Sequence, residues 1–340
     1  MAPPDPVIQL ISVDCPLCGG AKHRVWLRTD DLLGGIPGSF TVARCEDCGH
    51  RFMNPRPVDE DLAACYPSTY GPHQTAPANI ADRRSDESNT EGSRPWYLRY
   101  LPLRRIPGLR TLYYWLMNDH SQPVRESEGS REALEIGCAT GLYLDRLRRL
   151  GWNVTGIEPS DAAARIARSA GLHVQTGTLD SVMVSSSKYD LAAAWMVLEH
   201  VPAPRATLMQ LHTALRPGGT LMLSVPNAGC WEAFVFGKFW FGWEPPRHLQ
   251  HFTPSTLRKL LEECGYTDVR ILHQANLSYV VGSLGLRWLA WFPQSRVGSA
   301  LKAYPANPTT AGKLLLALPA KILCGFRQAG RITVTAKCLK

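Results

Sequence analysis

From Ala133 to Gly141 the chain reads Ala-Leu-Glu-Ile-Gly-Cys-Ala-Thr-Gly, a short apolar run that ends in a glycine-punctuated turn. Leu142 to Leu150 then has helical spacing, with Leu142, Leu147 and Leu150 apolar and Asp145, Arg146, Arg148 and Arg149 polar. A strand, a glycine turn and a helix in that order open an α/β unit whose turn receives a ligand. Gly137 and Gly141 lack Cβ, so they can take positive φ and let backbone and ligand approach closely.

The runs that follow extend this unit into a sheet. Val154–Ile157, His173–Gln175, Tyr189–Trp195, Thr220–Val225, Val269–His273 and Thr333–Lys337 read as strands, and helical patterns separate most of them. That alternation predicts an α/β fold with a seven-stranded Rossmann-like sheet. The helix after the second strand runs from Asp161 to Ala170, with Ser160 as its cap and Gly171 as its stop.

Glu158 follows Gly137 by 21 positions and ends the second strand, where a carboxylate accepts ribose hydroxyl protons. That geometry suits NAD and S-adenosylmethionine alike. Three features separate the two. Glu135, two positions before Gly137, suits a cationic ligand end and offers nothing to a pyrophosphate. The loop spacing is G-x-x-x-G. Arg216-Pro217-Gly218-Gly219 places a turn just before the fifth strand.

Two C-x-x-C-G knuckles, Cys15–Gly19 and Cys45–Gly49, lie before this domain. Two thiolate pairs at that spacing hold one tetrahedral ion, and the glycines turn the chain beneath the sulfurs. Residues 19–44 between the pairs are long enough for a hairpin, with Val25–Leu27 and Phe40–Ala43 as its strands. Cys15, Cys18, Cys45 and Cys48 are therefore the expected ligands of a structural zinc in a ribbon-like module over residues 12–70. His50 is expected at the surface, and Val58–Ala64 as a short helix. Tyr66 and Tyr70 sit in an aromatic loop that either packs or faces a substrate.

The chain has 340 residues, ten cysteines and a formal charge of +8. The length suits a sizeable core, and the charge favours anionic partners. Cysteines in metal-type pairs, with no signal peptide at the N-terminus, place the expectation in the cytoplasm. Residues 71–130 divide into a polar linker and a segment, Arg94–Asn118, in which arginines alternate with aromatics. It reads as a helical lid, a pocket for a phosphorylated substrate, or a membrane or RNA patch. Residues 276–330 form an apolar helical insertion, broken by Pro293, Pro305, Pro308 and Pro319, that serves as lid, dimer face or membrane contact. The last strand occupies 331–340.

Glu135–Gly141, Glu158-Pro159, Tyr189–Leu191 running to Leu198-Glu199-His200-Val201, and Arg216–Gly219 together resemble the successive motifs of class I S-adenosylmethionine-dependent methyltransferases. The resemblance covers 131–275 and the last strand. With the C-x-x-C module in front, the layout is similar to bacterial sugar and secondary-metabolite methyltransferases, including C-methyltransferases of nucleotide-activated sugars. It implies that Glu135, Gly137, Cys138 and Gly141 surround the methionine part of the cofactor. Glu158 would bind the ribose, and Pro159, Thr178 and Leu179 would border the adenine, with Trp195 and Met196 closing over the cofactor.

Methyl transfer to a hydroxyl or carbon needs alignment and a base, a role suited to histidine. His200 directly follows the fourth strand. His248 and His251 lie in Glu244–Thr253, before a helix capped by Thr253 or Ser255. In the sugar C-methyltransferases an acidic residue precedes the histidine of this loop; here Arg247 stands there, which points instead to an Arg–His pair that binds a phosphate or carboxylate. Asn227 leaves the fifth strand at the expected substrate mouth. The leading expectation is a methyltransferase for a small molecule, a sugar (nucleotide-linked ones included) or a secondary metabolite. An RNA methyltransferase guided by the zinc module and a non-catalytic zinc and cofactor scaffold are the alternatives. Against nucleic acid stands Trp195–His200, which lacks the Asn/Asp-Pro-Pro-aromatic motif of base N-methylation.

Overall fold

The computed structural model describes residues 8–66, Gln122 and 131–339. Tyr70 and the predicted linker and lid over 71–130, Gln122 excepted, therefore lie outside the described residues.

The main sheet has seven strands: β6 (Arg131–Ile136), β7 (Trp152–Glu158), β8 (His173–Thr176), β9 (Tyr189–Trp195), β10 (Leu215–Pro226), β12 (Tyr266–His273) and β13 (Arg331–Cys338). Their order is β12-β13-β10-β9-β6-β7-β8. The five strands from β10 to β8 are parallel, and β13 runs antiparallel to both of its neighbours. The chain leaves β6 toward β7 and β8, then crosses back to lay β9 on the other side of β6. Loops after β6 and β9 therefore diverge at the carboxyl edge and leave a crevice there, the place where open α/β sheets take ligands. The central strands are near-continuous apolar runs because helices cover both faces: Leu191 to Ala194 of β9 are all buried.

Helix boundaries follow local chemistry. Ser160 accepts from Ala163 N to start the helix Asp161–Ser169, and Thr253 forms a capping box with Thr256 to start Pro254–Glu263. The Pro217-Gly218-Gly219 turn lies within β10 rather than before it: the strand starts at Leu215 and its register against β9 shifts between Leu215 and Thr220. Val58–Ala64 is two 3-10 turns, Asp59–Asp61 and Ala63–Cys65, in place of the expected helix.

The insertion after β12 is three helices, Ser278–Trp291, Arg296–Ala303 and Thr310–Gly325. Pro319 was expected to break the last one but sits inside it. The first two cross closely at glycines: a Cβ on Gly285 would meet the backbone of Lys302 at 2.3 Å. No described helix is long and apolar enough to cross a membrane.

The N-terminal module is a second sheet of β2 (His23–Asp30), β3 (Ser39–Cys45), β4 (Arg51–Met53) and β11 (Gln250–His251), in the order β11-β4-β3-β2. A separate pair joins β1 (Leu10–Ile11) to β5 (Arg56–Pro57). Strand β11 belongs to the predicted histidine loop, so the module and that loop are one sheet. Gln250 pairs with Phe52 and His251 with Arg51. Cys15, Leu17, Ala43, Cys45 and Phe52 share one buried cluster with Leu198, Leu208, Phe252 and Leu257. Arg205 adds to the seam by donating to Leu17 O at 2.6 Å and pairing with Glu263.

Candidate functional site

The four cysteines converge. Cys15 Sγ lies 3.5 Å from Cys48 Sγ, Cys18 Sγ lies 3.6 Å from Cys45 Sγ, and all four sulfurs fall within 4.8 Å of one another. Tetrahedral zinc with Zn–S of about 2.3 Å sets its sulfurs roughly 3.8 Å apart, so the donor set fits zinc. Gly19 and Gly49, both at positive φ, close each knuckle by donating N–H to Cys15 O and Cys45 O. A filled four-thiolate shell is a structural site, with no open position for catalysis.

His50 is the clearest departure at this module. Expected at the surface, it is fully buried, its Nε2–H donating to Gln250 Oε1 at 3.0 Å and its ring stacked with Phe52. Gln250 in turn donates to Val201 O at 3.2 Å, so this histidine welds the module to the turn after β9.

At the glycine loop, Gly137 N–H donates to Ile157 O at 2.8 Å. Both glycines are required by the protein's own packing. A Cβ on Gly137, at φ +61°, would meet Val197 Cγ2 at 2.5 Å, and one on Gly141, at φ +81°, would meet Leu172 Cδ1 at 2.4 Å. Contact between Gly137 and Val197 brings the β6 turn against the turn after β9. Glu158 closes the loop from below: Oε2 accepts from Ala139 N and Oε1 from Ser160 N, both at 2.8 Å. Cys138 turns its thiol inward among Leu144, Ala164 and Val174, so any contact it makes with a cofactor runs through its backbone.

Glu135 carries the test of whether the loop suits S-adenosylmethionine. It is buried, and its Oε2 finds no hydrogen-bond partner among the described residues. Burial and the charge of Glu158 raise its pKa well above the carboxylate range, against one backbone hydrogen bond from Leu144. A buried carboxylate with an unmet oxygen is costly alone and is offset by a cation. An α-ammonium group supplies that cation, so the residues present fit the cofactor. Trp195 packs edge-on against Tyr143 at 5.0 Å, with its Nε1–H unpaired among the described residues. Met196 holds a positive φ of 55° just beyond β9. Pro159 and Thr178 are exposed at the same edge, and Leu179 is half-buried.

Beyond β9 the structure assembles a polar cluster. His200 Nδ1 lies 2.9 Å from Tyr66 Oη and 3.1 Å from Arg247 O, and its ring meets that of His248 edge-on at 4.6 Å. His248 Nδ1 lies 2.9 Å from Gly242 O. A carbonyl only accepts, so Nδ1 of each ring carries the hydrogen and each Nε2 holds a lone pair. With Arg247 directly before His248, the acid beside this histidine comes from earlier in the loop: Glu244 Oε2 lies 3.5 Å from His248 Nε2. Burial, with the neighbouring His248, pushes His200 down to about 3, and burial pushes His248 down to about 4. Both rings are neutral at pH 7. Glu199, fully buried with neither carboxylate oxygen partnered among the described residues, stands beside them; its pKa is raised well above its usual range by burial.

Three expected site residues sit elsewhere in the chemistry. Arg247, expected to meet a substrate anion, is buried: its guanidinium grips Asp31 at 2.7 and 3.0 Å, Glu244 at 3.0 Å and Cys65 O at 3.2 Å. Asn227, expected at the mouth, is buried and ties Ala329 O to Gly229 N. His251 is buried on β11 against Trp243, ring centroids 4.9 Å apart. Asp31, Glu199 and Glu244 join the site only through the fold. No local signal marks Asp31, which the fold brings to Arg247 from 216 positions away.

The Arg247–Asp31 pair predicts a large stability effect. Arg247→Ala leaves Asp31 buried and uncompensated, which costs about 3–5 kcal/mol. Asp31→Asn combined with Arg247→Met is expected to lose less than Arg247→Ala alone, measured by urea unfolding; equal or greater loss in the double variant counts against the pairing.

A family model described as a methyltransferase domain matches residues 110–271. A ubiquinone biosynthesis O-methyltransferase from Albidiferax ferrireducens is 31% identical over 136 residues, 38% of this chain and 51% of the relative. One from a Methylobacterium species is 31% identical over 144 residues, 39% of this chain and 58% of the relative. The chain thus spans little more than half the length of these curated relatives. A solved S-adenosylmethionine-dependent methyltransferase from Thermotoga maritima is similar at a TM-score of 0.43 and 15% identity, over 76% of this chain and 99% of its own. Residues 110–271 thus match a methyltransferase-domain family model, and the seven-stranded sheet has the strand order of a Rossmann-like methyltransferase fold.

Proposed function

We propose that the chain transfers a methyl group to an oxygen or carbon of a small-molecule acceptor, with the His200–His248–Glu244 array taking the proton. The observation that carries this reading is positional. The glycine loop and His200 follow the adjacent parallel strands β6 and β9 at the same carboxyl edge, and His248 and Glu244 join His200 from the loop that follows β10. S-adenosylmethionine, when bound, supplies a methyl group activated on a sulfonium. Glu135 would hold its amino end, and Glu158 its ribose.

The acceptor's O–H or C–H gives its proton to a neutral imidazole Nε2. The deprotonated acceptor atom would then receive the methyl group that the bound cofactor supplies, the cofactor leaving as S-adenosylhomocysteine. A ring as weakly basic as buried His248 takes a proton only where the cation formed is stabilised, and Glu244 is placed to do that. Tyr66 and Arg247 O hold His200 in register, and Gly242 O does the same for His248. A sugar, nucleotide-linked ones included, or a secondary metabolite is the acceptor class favoured by the layout of zinc module and catalytic domain. The curated relatives' printed name gives O-methylation as the reaction type to test first. A module whose edge is already paired with β11 weighs against its acting as a separate RNA guide.

Calorimetric titration with S-adenosylhomocysteine, followed by a methyl-donor assay over nucleotide sugars and hydroxylated metabolites, tests the reading. Failure of the parent protein to bind S-adenosylhomocysteine sinks it. Glu135→Gln is expected to weaken that binding about 10- to 100-fold, the worth of a charge-assisted hydrogen bond. The pH dependence follows from the raised pKa of Glu135. In the free protein the carboxyl keeps its proton above the usual range; the ligand's ammonium selects the ionised form. Affinity therefore rises with pH until Glu135 ionises unaided, and protons are released on binding below that point. Titrations in buffers of different ionisation enthalpy read the release, which Glu135→Gln should abolish.

A further inference from the structure

The helix Thr310–Gly325 carries large apolar side chains on its outward face as well as its inward one. Its inward face holds Ala317 and Ala320, both buried, with Leu316 and Leu323 half-buried beside them, while Leu315, Leu318 and Ile322 stand outward at helical spacing, followed by Phe326. Leu315 is 80% exposed and Phe326 73%. The neighbouring helix Ser278–Trp291 repeats the pattern: Leu284, Trp288 and Trp291 are exposed at spacings of three and four, and Phe292 follows them. A monomer in water gains nothing from an outward stripe of large side chains, so the stripe marks a contact.

Charge says what kind. From Asn276 to Gly330 there is no Asp or Glu, while Arg287, Arg296, Lys302, Lys313, Lys321 and Arg327 are all cationic. Lys313 and Arg327 are exposed at the two ends of the outward helix, and Lys321 borders its stripe. A two-fold contact through this stripe would set the acid-free segment against its own copy, like charge on like. The segment Arg94–Asn118 has five arginines and no acidic residue, so it does not complement the patch either. Apolar and tryptophan side chains set among cations on a surface-lying helix match an anionic lipid surface, where the side chains enter the headgroup boundary and the cations meet the lipid charge.

We propose that the outward face of Thr310–Gly325, with Phe326, docks the protein peripherally on an anionic membrane surface. Flotation of the full chain with phosphatidylcholine vesicles, with and without about 30% phosphatidylglycerol, tests this. Binding is expected with phosphatidylglycerol at roughly 0.1 M salt, little with phosphatidylcholine alone, and less as salt rises. Leu315→Gln with Phe326→Gln changes no charge and is expected to lower the partition at least about tenfold. Lys313→Gln, Lys321→Gln and Arg327→Gln together should lower it by about tenfold or more. Zinc content and S-adenosylhomocysteine affinity report that each variant is folded. Absence of binding to the anionic vesicles overturns the proposal. So does binding that survives Leu315→Gln with Phe326→Gln, since the overall charge alone would then explain it. A dimer in sedimentation velocity that the same variant dissociates would assign the face to a second copy and likewise overturn it.

Discussion

Stripping the ion from Cys15, Cys18, Cys45 and Cys48 is expected to abolish methyl transfer while leaving S-adenosylhomocysteine affinity within a few fold. Structural zinc contributes about 10–16 kcal/mol of apparent binding free energy in small thiolate modules, energy that is lost as folding energy when the metal leaves. Here the module is not an appendage. Its strand β4 pairs with β11, Met53 N–H donates to Leu249 O at 2.9 Å, and the amides of Leu249 and Gln250 donate to Glu199 O at 2.7 and 2.9 Å. Asp31, at the end of the β2 region, holds Arg247. Loss of zinc should therefore release the loop that carries Glu244, His248 and His251. The cofactor loop is built on β6 and β7, whose register does not involve the module. Dialysis against a chelator at neutral pH, with zinc, transfer and ligand affinity measured on one sample, reads the two functions apart. Full transfer activity in metal-free protein would break the proposed link.

His248→Gln is expected to lower kcat by roughly 10²–10⁴, the usual worth of a positioned base, with S-adenosylhomocysteine affinity unchanged. Glutamine fills similar space and its amide can still donate to Gly242 O, so the loop keeps its bond while the lone pair is lost. The sign of the pH effect follows from a depressed pKa. His248 near 4 and His200 near 3 are already neutral at pH 6, so kcat/KM should not fall through the usual histidine range. An acid limb appears only as protonation fills the Nε2 lone pairs, below about pH 5. A limb centred near 6.5 that vanishes in His248→Gln would show an exposed, unshifted histidine and contradict the buried array. A variant with wild-type kcat would remove His248 from the chemistry.

Much of the cofactor half was legible because its determinants are local. A glycine that must take positive φ, a carboxylate two residues before it and another at the next strand end are spaced by the strand–turn–helix period itself, and Glu135, Gly137 and Glu158 landed at one edge accordingly. Knuckle spacing likewise predicted that Cys15, Cys18, Cys45 and Cys48 would form one cluster, since each C-x-x-C makes its own turn. What failed to show was whatever depends on partners distant in the chain. His50 read as polar and exposed, yet Gln250 buries it. Arg247 read as an anion-binding cation, yet Asp31 and Glu244 neutralise it. Asn227 read as a mouth residue, yet Ala329 and Gly229 satisfy its amide. In each case the residue type was plain, and its environment was set by contacts that sequence spacing does not encode.

The sequence alone thus determined the order of strands and helices, the acid-bearing glycine loop and the thiolate set, because turn geometry, capping and side-chain periodicity act over a few residues. Only the tertiary structure decided that the zinc module and the histidine loop are one sheet, that Glu244 supplies the carboxylate beside His248, and that Leu315 and Phe326 face outward. Burial and pairing are properties of surfaces brought together across the chain. The same side chain is a ligand, a brace or a docking contact according to what packs against it.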